Sequence, residues 1–214
     1  MTFHFIHLKT CPIDEQLKLE EDLLRNSSDN FCVINEGTSP AIVLGISGKV
    51  EELVNEGAAT KQNIPLIRRF SGGGTVIVDE ETLFVTFICQ KDLHPFPAYP
   101  EPIMRWTEEI YKEVFDHPQF ALKENDYIIG DRKCGGNAQY IKKNRWLHHT
   151  SFLWNFQEER MNTLLHPKKT PPYRQGRSHL DFLCTLHTLF PSREAFKERL
   201  LQALSSRFTI QSSR

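Results

Sequence analysis

Apolar positions recur along this chain with two periods, and where the period changes the elements change. From residue 12 to residue 25, Ile13, Leu17 and Leu24 fall along one side of a helix that Pro12 can open, with Asp14 and Glu15 suited to its first turn. Residues 26–30 end it. Short apolar runs at 31–35 and 41–46 flank Gly37 and Pro40 and read as strands, and Ser47 can cap a helix carrying Val50, Leu53 and Val54 that stops near Gly57. Three strand-like runs follow, 64–70, 75–78 and 83–89, broken by Ser71-Gly72-Gly73-Gly74 and by Asp79-Glu80-Glu81. Connections this short favour antiparallel neighbours.

After a proline-punctuated loop at 94–102, Ile103, Trp106, Ile110, Val114 and Phe115 trace a helical stripe, read as core packing. Strand patterns return at 127–129, 138–141 and 146–156, a second antiparallel meander interrupted by Gly135-Gly136 and by Lys142-Lys143-Asn144. Residues 168–178, rich in proline and basic side chains, read as an exposed mobile loop. The stretch 192–206 closes the chain as a helix with Phe196, Leu200 and Leu204 inward. The expected class is α+β: a mixed, largely antiparallel sheet flanked by helices.

A length of 214 residues with 39% hydrophobic content supports one core, so a single domain over 1–214 is expected. The 26 basic and 27 acidic residues nearly cancel, leaving no global field for nucleic acid or an anionic membrane. Five cysteines without paired spacing suit reduced thiols in the cytoplasm, and the absence of CxxC argues against structural zinc. The N-terminus carries no targeting pattern, which makes the expected location cytoplasmic.

Three segments carry chemistry. In Ile67-Arg68-Arg69-Phe70-Ser71-Gly72-Gly73-Gly74-Thr75-Val76, consecutive glycines allow positive φ and leave the backbone open, so successive N–H groups can cradle an anion. Arg68 and Arg69 face opposite ways by strand alternation, so one of them reaches a ligand. The plain alternative is a glycine-rich hairpin. The segment is neither a P-loop nor a dinucleotide fingerprint. In Asn125-Asp126-Tyr127-Ile128-Ile129-Gly130-Asp131-Arg132-Lys133-Cys134-Gly135-Gly136-Asn137-Ala138-Gln139, Lys133 sits between two flexible glycine neighbourhoods, where an ammonium can meet a phosphate or carbonyl; a solvated turn lysine is the ordinary reading. The third, His148-His149-Thr150-Ser151, lies in an apolar strand whose alternation keeps both histidines from one ion.

Together and in this order the three segments resemble the lipoate-protein ligase A and octanoyltransferase superfamily, over about residues 40–204. The resemblance implies an α/β catalytic domain related to biotin protein ligases and class II synthetases. It implies a reaction in which lipoate and ATP, with Mg²⁺, form lipoyl-adenylate, and the acyl group then passes to a lysine of an acceptor: a 2-oxoacid dehydrogenase E2 lipoyl domain or the glycine-cleavage H protein. No tightly bound cofactor is expected. Carried over, Lys133 is the catalytic residue, touching the acyl carbonyl and the adenylate phosphate where charge grows. Arg69, Ser71, Gly72, Gly73, Gly74, Thr75, Val76, Asp126, Gly136, Ala138, His149 and Thr150 would form the acyl and adenylate site. Arg69 would serve the phosphates or the lipoate carboxylate, Asp126 would hold Mg²⁺, and His149 and Thr150 would line the pocket.

Two departures stand out. Val78-Asp79 replaces the His-Asp that many members carry, and the chain ends at Arg214, soon after its last helix, without the accessory domain that bacterial-type ligases often add for activation. Activation by a separate partner polypeptide, or none at all, is the expectation. An ATP-independent octanoyl or lipoyl transferase is the nearest rival, but the stretch matching its cysteine turn, residues 161–171, has no cysteine, and Cys184 reads as buried and inert. Biotin ligation is a weaker rival, because the Gly-Arg-Gly-Arg type of loop is absent. A non-catalytic protein that binds lipoate or an adenylate is the third reading.

Overall fold

The computed structural model describes residues 1–166 and 170–213. The described residues form twelve strands: β1 (Thr2–Lys9), β2 (Asn30–Glu36), β3 (Ala41–Leu44), β4 (Leu66–Arg68), β5 (Gly72–Gly73), β6 (Val76–Val78), β7 (Thr82–Gln90), β8 (Phe120–Lys123), β9 (Asp126–Ile129), β10 (Arg132–Ile141), β11 (Arg145–Leu153) and β12 (Thr209–Ser213). Their helices are α1 (Ile13–Asn26), α2 (Val50–Leu53), α3 (Glu56–Lys61), α4 (Pro100–Phe115), α5 (Glu158–Met161), α6 (His179–Phe182) and α7 (Arg193–Ser205). The main sheet runs β12-β1-β2-β7-β11-β10-β9-β8, with β5 paired to β10, and a small sheet runs β4-β3-β6. The class is therefore α+β, as the periodicity implies.

The strongly periodic helices fold where the pattern puts them. In α1, Ile13, Leu17 and Leu24 are buried, and α4 buries Ile103, Ile110, Val114 and Phe115. Ser192 caps α7 by accepting from the Ala195 N–H. One face of the main sheet carries α4 and α7 over the largest core, which includes Phe87, Tyr111, Trp146, Phe152 and Phe196. The other face carries α1, whose Ile13 and Leu17 pack with Phe84 and with Ala41, Val43 and Val78 of the small sheet.

Several expectations need correction. The helix expected to stop near Gly57 is two short turns, because Asn55 caps a new start by accepting from the Ala58 N–H. The run 64–70 shrinks to β4, which pairs in parallel with β3, while β6 takes the other edge of β3 and β7 enters the main sheet. Short connections here join different sheets rather than antiparallel neighbours. The terminal strands β1 and β12 pair in parallel, and β1 pairs in parallel with β2. Of the loop expected at 168–178, residues 168 and 169 lie outside the described residues, and Tyr173 and Arg174 are buried rather than exposed.

Candidate active site

The register of the central strands selects which side chains meet. Asp126 pairs with Gly136, Gly136 with Ser151, and Ala138 with His149 on one side and Gly73 of β5 on the other. Directly opposed residues share a face, so Asp126, Gly136, Ala138, Ser151 and His149 project from the face that carries α1 and the small sheet. The register shifts between Lys133 and Gly135, making Cys134 the extra residue of a β-bulge. That bulge turns Lys133 onto this same face: a Cβ on Gly136 would lie 3.1 Å from Lys133 Nζ. Glycine at 136 is what leaves room for the ammonium.

Lys133 Nζ stands 2.7 Å from Asp126 Oδ1, and Asp126 Oδ2 accepts a 2.7 Å hydrogen bond from the Tyr173 hydroxyl. Burial, and then the Asp126 charge, push the Tyr173 phenol well above its usual range, so it remains a donor. Beyond this pair lie Arg174, buried with Nη2 unpartnered among the described residues, and His179, whose Nε2 is buried and likewise unpartnered. His179 is held down to about 4, first by burial and then by the charges of Arg174, His166 and Lys133. Arg174 thus brings a second cation with an unused N–H near Lys133, and neutral His179 adds an unpartnered ring nitrogen, an arrangement suited to a phosphate or a developing oxyanion.

The glycine turn reaches this face through β5. Gly73 takes φ +130°, and a Cβ there would lie 2.7 Å from Arg69 Nη2 and 2.8 Å from the Asn137 carbonyl oxygen. Gly73 and Gly74 are exposed, Ser71 is buried, Thr75 Oγ1 is buried without a partner among the described residues, and half-buried Val76 begins β6. Arg69 is buried and donates to the carbonyls of Val43 and Gly74, at 3.4 and 2.7 Å. Arg68 donates to those of Gly45, Ile46 and Gly48. Arg69, the guanidinium expected to reach a ligand, is thus bonded to backbone, as is Arg68; Arg69, lowered to about 10 chiefly by burial, supports the turn from behind.

His149 and Thr150 lie on opposite faces of β11. His149 Nδ1 approaches both oxygens of fully buried Glu20 at 3.1 Å. The Thr86 hydroxyl gives its one proton to Glu20 at 2.7 Å, so at its 3.0 Å contact with His149 it must accept, and Nδ1 carries the hydrogen. Nε2 is thereby turned away from Glu20. Thr150 instead donates to Asn137 and accepts from Tyr111 under α4, beside His148, and does not join the Lys133 face. Sequence reasoning missed Glu20, Tyr173, Arg174 and His179. Only Glu20 carried a local signal, as a carboxylate on the same helical stripe as Ile13, Leu17 and Leu24.

The sequence pattern of the lipoyl protein ligase A/B catalytic domain matches residues 12–205. The chain belongs to the lipoyl protein ligase A/B family. Within it, the inactive lipoate–protein ligase 2 of Plasmodium falciparum is 29% identical over 93% of this chain and 68% of its own length. Lipoate–protein ligase 1 of Staphylococcus aureus is 29% identical over 65% of this chain, and the matched region spans 42% of that protein. Among solved structures, a bi-partite lipoate protein ligase of Thermoplasma acidophilum, described together with its E2 lipoyl domain, superposes with TM-score 0.81 at 17% identity, covering 100% of this chain and 88% of that one. Lipoate-protein ligase A bound with ATP gives 0.78 at 18%, covering 100% and 90%. The fold is that of lipoate protein ligases.

Proposed function

We propose that this chain transfers a lipoyl-type acyl group to the ε-amine of a lysine on an acceptor protein, forming lipoyl-adenylate from lipoate and ATP beforehand. The observation that carries the reading is Lys133, an ammonium fixed over side-chain-free Gly136, on one face with Gly73, Ala138 and His149. There Lys133 would meet the acyl carbonyl oxygen and the adenylate phosphate, Arg174 and His179 would add donors to the phosphate, and the open backbone at Gly73 and Gly74 would lie against the acyl carbonyl and tail. Arg69 would act as a support of the glycine turn. The Staphylococcus aureus relative and the solved structures named as lipoate ligases support this chemistry, whereas the Plasmodium falciparum relative is named inactive, so turnover is what the experiment below has to show.

Mg²⁺ would accompany ATP. Among the described residues no three His, Cys, Asp or Glu side chains are placed to hold a metal, and Asp126 is the single carboxylate at Lys133. One carboxylate suits a hard cation that completes its shell from phosphate and water. Acceptors would be E2 lipoyl domains, by analogy with the archaeal pair, or H protein, as the resemblance in sequence implies. Action in the cytoplasm is part of the same proposal, as is a separate partner for activation, by analogy with the bi-partite archaeal ligase.

A second reading, acyl transfer from an already activated donor, is favoured by one observation: Arg69 of the glycine turn is buried and donates to backbone carbonyls rather than standing open to a triphosphate. Mass spectrometry of E2 lipoyl domain or H protein incubated with the purified chain, lipoate and Mg²⁺, with and without ATP, separates the two. ATP-dependent lipoylation is expected. Modification only from pre-formed lipoyl-adenylate or an acyl carrier would move the assignment to the second reading, and none from any donor would overturn both.

A further inference from the structure

Lys133 is followed by a buried thiol, and a second thiol lies beside it. β11 ends at Leu153, and past that point the edge of β10 is taken by the segment after α6: Leu183 bridges Lys133 in parallel, and the Cys184 N–H donates to the Lys133 carbonyl at 2.8 Å. The next residues along, Cys134 and Cys184, are therefore neighbours on parallel chains. Strands stand about 5 Å apart, inside the Cα separation a disulfide spans. As the bulge residue, Cys134 turns into the core beneath α4 with its Sγ 3.4 Å from the Tyr127 carbonyl, and Cys184 Sγ lies 3.5 Å from the Arg132 carbonyl.

The two thiols differ in a useful way. Cys184 is half-buried rather than inert, and the hydrogen bond from Cys134 holds its thiol below the ordinary value, whereas burial pushes Cys134 up. Cys32 and Cys89 are buried and raised by that burial, and Cys11 is raised by burial and by Glu15. An oxidant thus meets one accessible, activated thiol with a partner already against it. The same segment roofs the site: Tyr173 occupies one oxygen of Asp126, and Arg177 is tied to Asp131 at 2.9 Å. A substrate that takes Lys133 from Asp126 has to shift this segment, carrying Arg174 and His179 with it.

We propose that Cys134 and Cys184 are an oxidisable pair, joined by peroxide into a disulfide that clamps residues 172–184 over Lys133 and Asp126 and shuts acyl transfer. Cys184 sulfur takes one peroxide oxygen as sulfenic acid and the other leaves as water; Cys134 sulfur then displaces the sulfenic oxygen as a second water. Two thiols and one peroxide give one disulfide and two waters. Only the loss of transfer rests on the function proposed above.

The test uses the full chain, reduced, desalted and exposed to a modest excess of hydrogen peroxide. Intact mass should fall by two hydrogens, and a tryptic digest should join the peptide beginning at Cys134 to the one containing Cys184. Tryptic nicking of the folded chain at Arg177 should slow by about tenfold or more, the low end of what a cross-link gains against local opening. Octanoyl transfer from octanoyl-adenylate, a donor without a dithiolane for reductant to attack, should drop at least as much and return with a phosphine. Cys184→Ser should transfer normally and ignore peroxide. Oxygen added to single cysteines with no joined peptide overturns the pair, and a joined peptide with unchanged nicking at Arg177 overturns the clamp. A chain inactive in both redox states defeats the ligase reading, while peptide mapping and nicking still decide the pair and the clamp.

Discussion

Replacing Lys133 with methionine keeps the length of the side chain and removes its charge. In the folded protein the loss is moderate. The pair with Asp126 is 2.7 Å long and its side chains are only 24% and 12% exposed, so the change leaves a largely buried carboxylate held by the Tyr173 hydroxyl alone. A loss of about 2–3 kcal/mol is expected, lowering Tm by about 4–12 °C in a domain of this size and leaving it folded at assay temperature. The transition state loses a separate contribution, because the ammonium stands where the adenylate phosphate and acyl oxygen gain charge: on the order of 3 kcal/mol, or 10²–10³ in rate. The assay is single-turnover transfer from pre-formed lipoyl-adenylate to an E2 lipoyl domain, read by mass spectrometry, which bypasses activation. A folded variant that transfers within about tenfold of the parent, about 1.4 kcal/mol, would refute the assignment of Lys133.

Other changes probe the supports. Gly73→Ala forces a Cβ to 2.7 Å from Arg69 Nη2 at φ +130°, and should lower the unfolding free energy by about 2–3 kcal/mol, whereas Gly74→Ala, with no atom within 4 Å of its Cβ, should stay within about 0.5–1 kcal/mol; urea melts giving equal losses would sink this reading of the turn. Glu20→Ala strands the buried donors of Gln16, Thr86 and His149 and should lose about 2–4 kcal/mol, with Glu20→Gln intermediate. Burial lowers His148 to about 3 and His179 to about 4, so below the ordinary histidine value of about 6.5 the unfolded chain binds protons that the folded one refuses. Stability should be fully present above pH ~6.5 and fall as pH drops towards ~4; a urea midpoint that is flat over this window contradicts the assignment.

The pattern along the chain determines whatever is local. Periodicity and capping mark α1, α4 and α7 because each buries one stripe of its own residues. The glycine turn and the Lys133 turn are legible for the same reason, since glycine frees the backbone wherever it stands. Pairing is different: β1 meets β12 across nearly the whole chain, and its alternation of Phe3 and Phe5 with Thr2 and His4 names no partner. The site's geometry is tertiary as well. Which face Lys133 occupies follows from the bulge at Cys134, and a one-residue shift in register turns a side chain to the opposite face. Arg69 looks available in the sequence because nothing local says that Val43 and Gly74 will claim it, and Tyr173, Arg174 and His179 enter the site only when their segment closes over β9 and β10. Elements follow from interactions a few residues long, while the contacts that gather the site are closed by segments far apart, where local pattern carries no information about the partner.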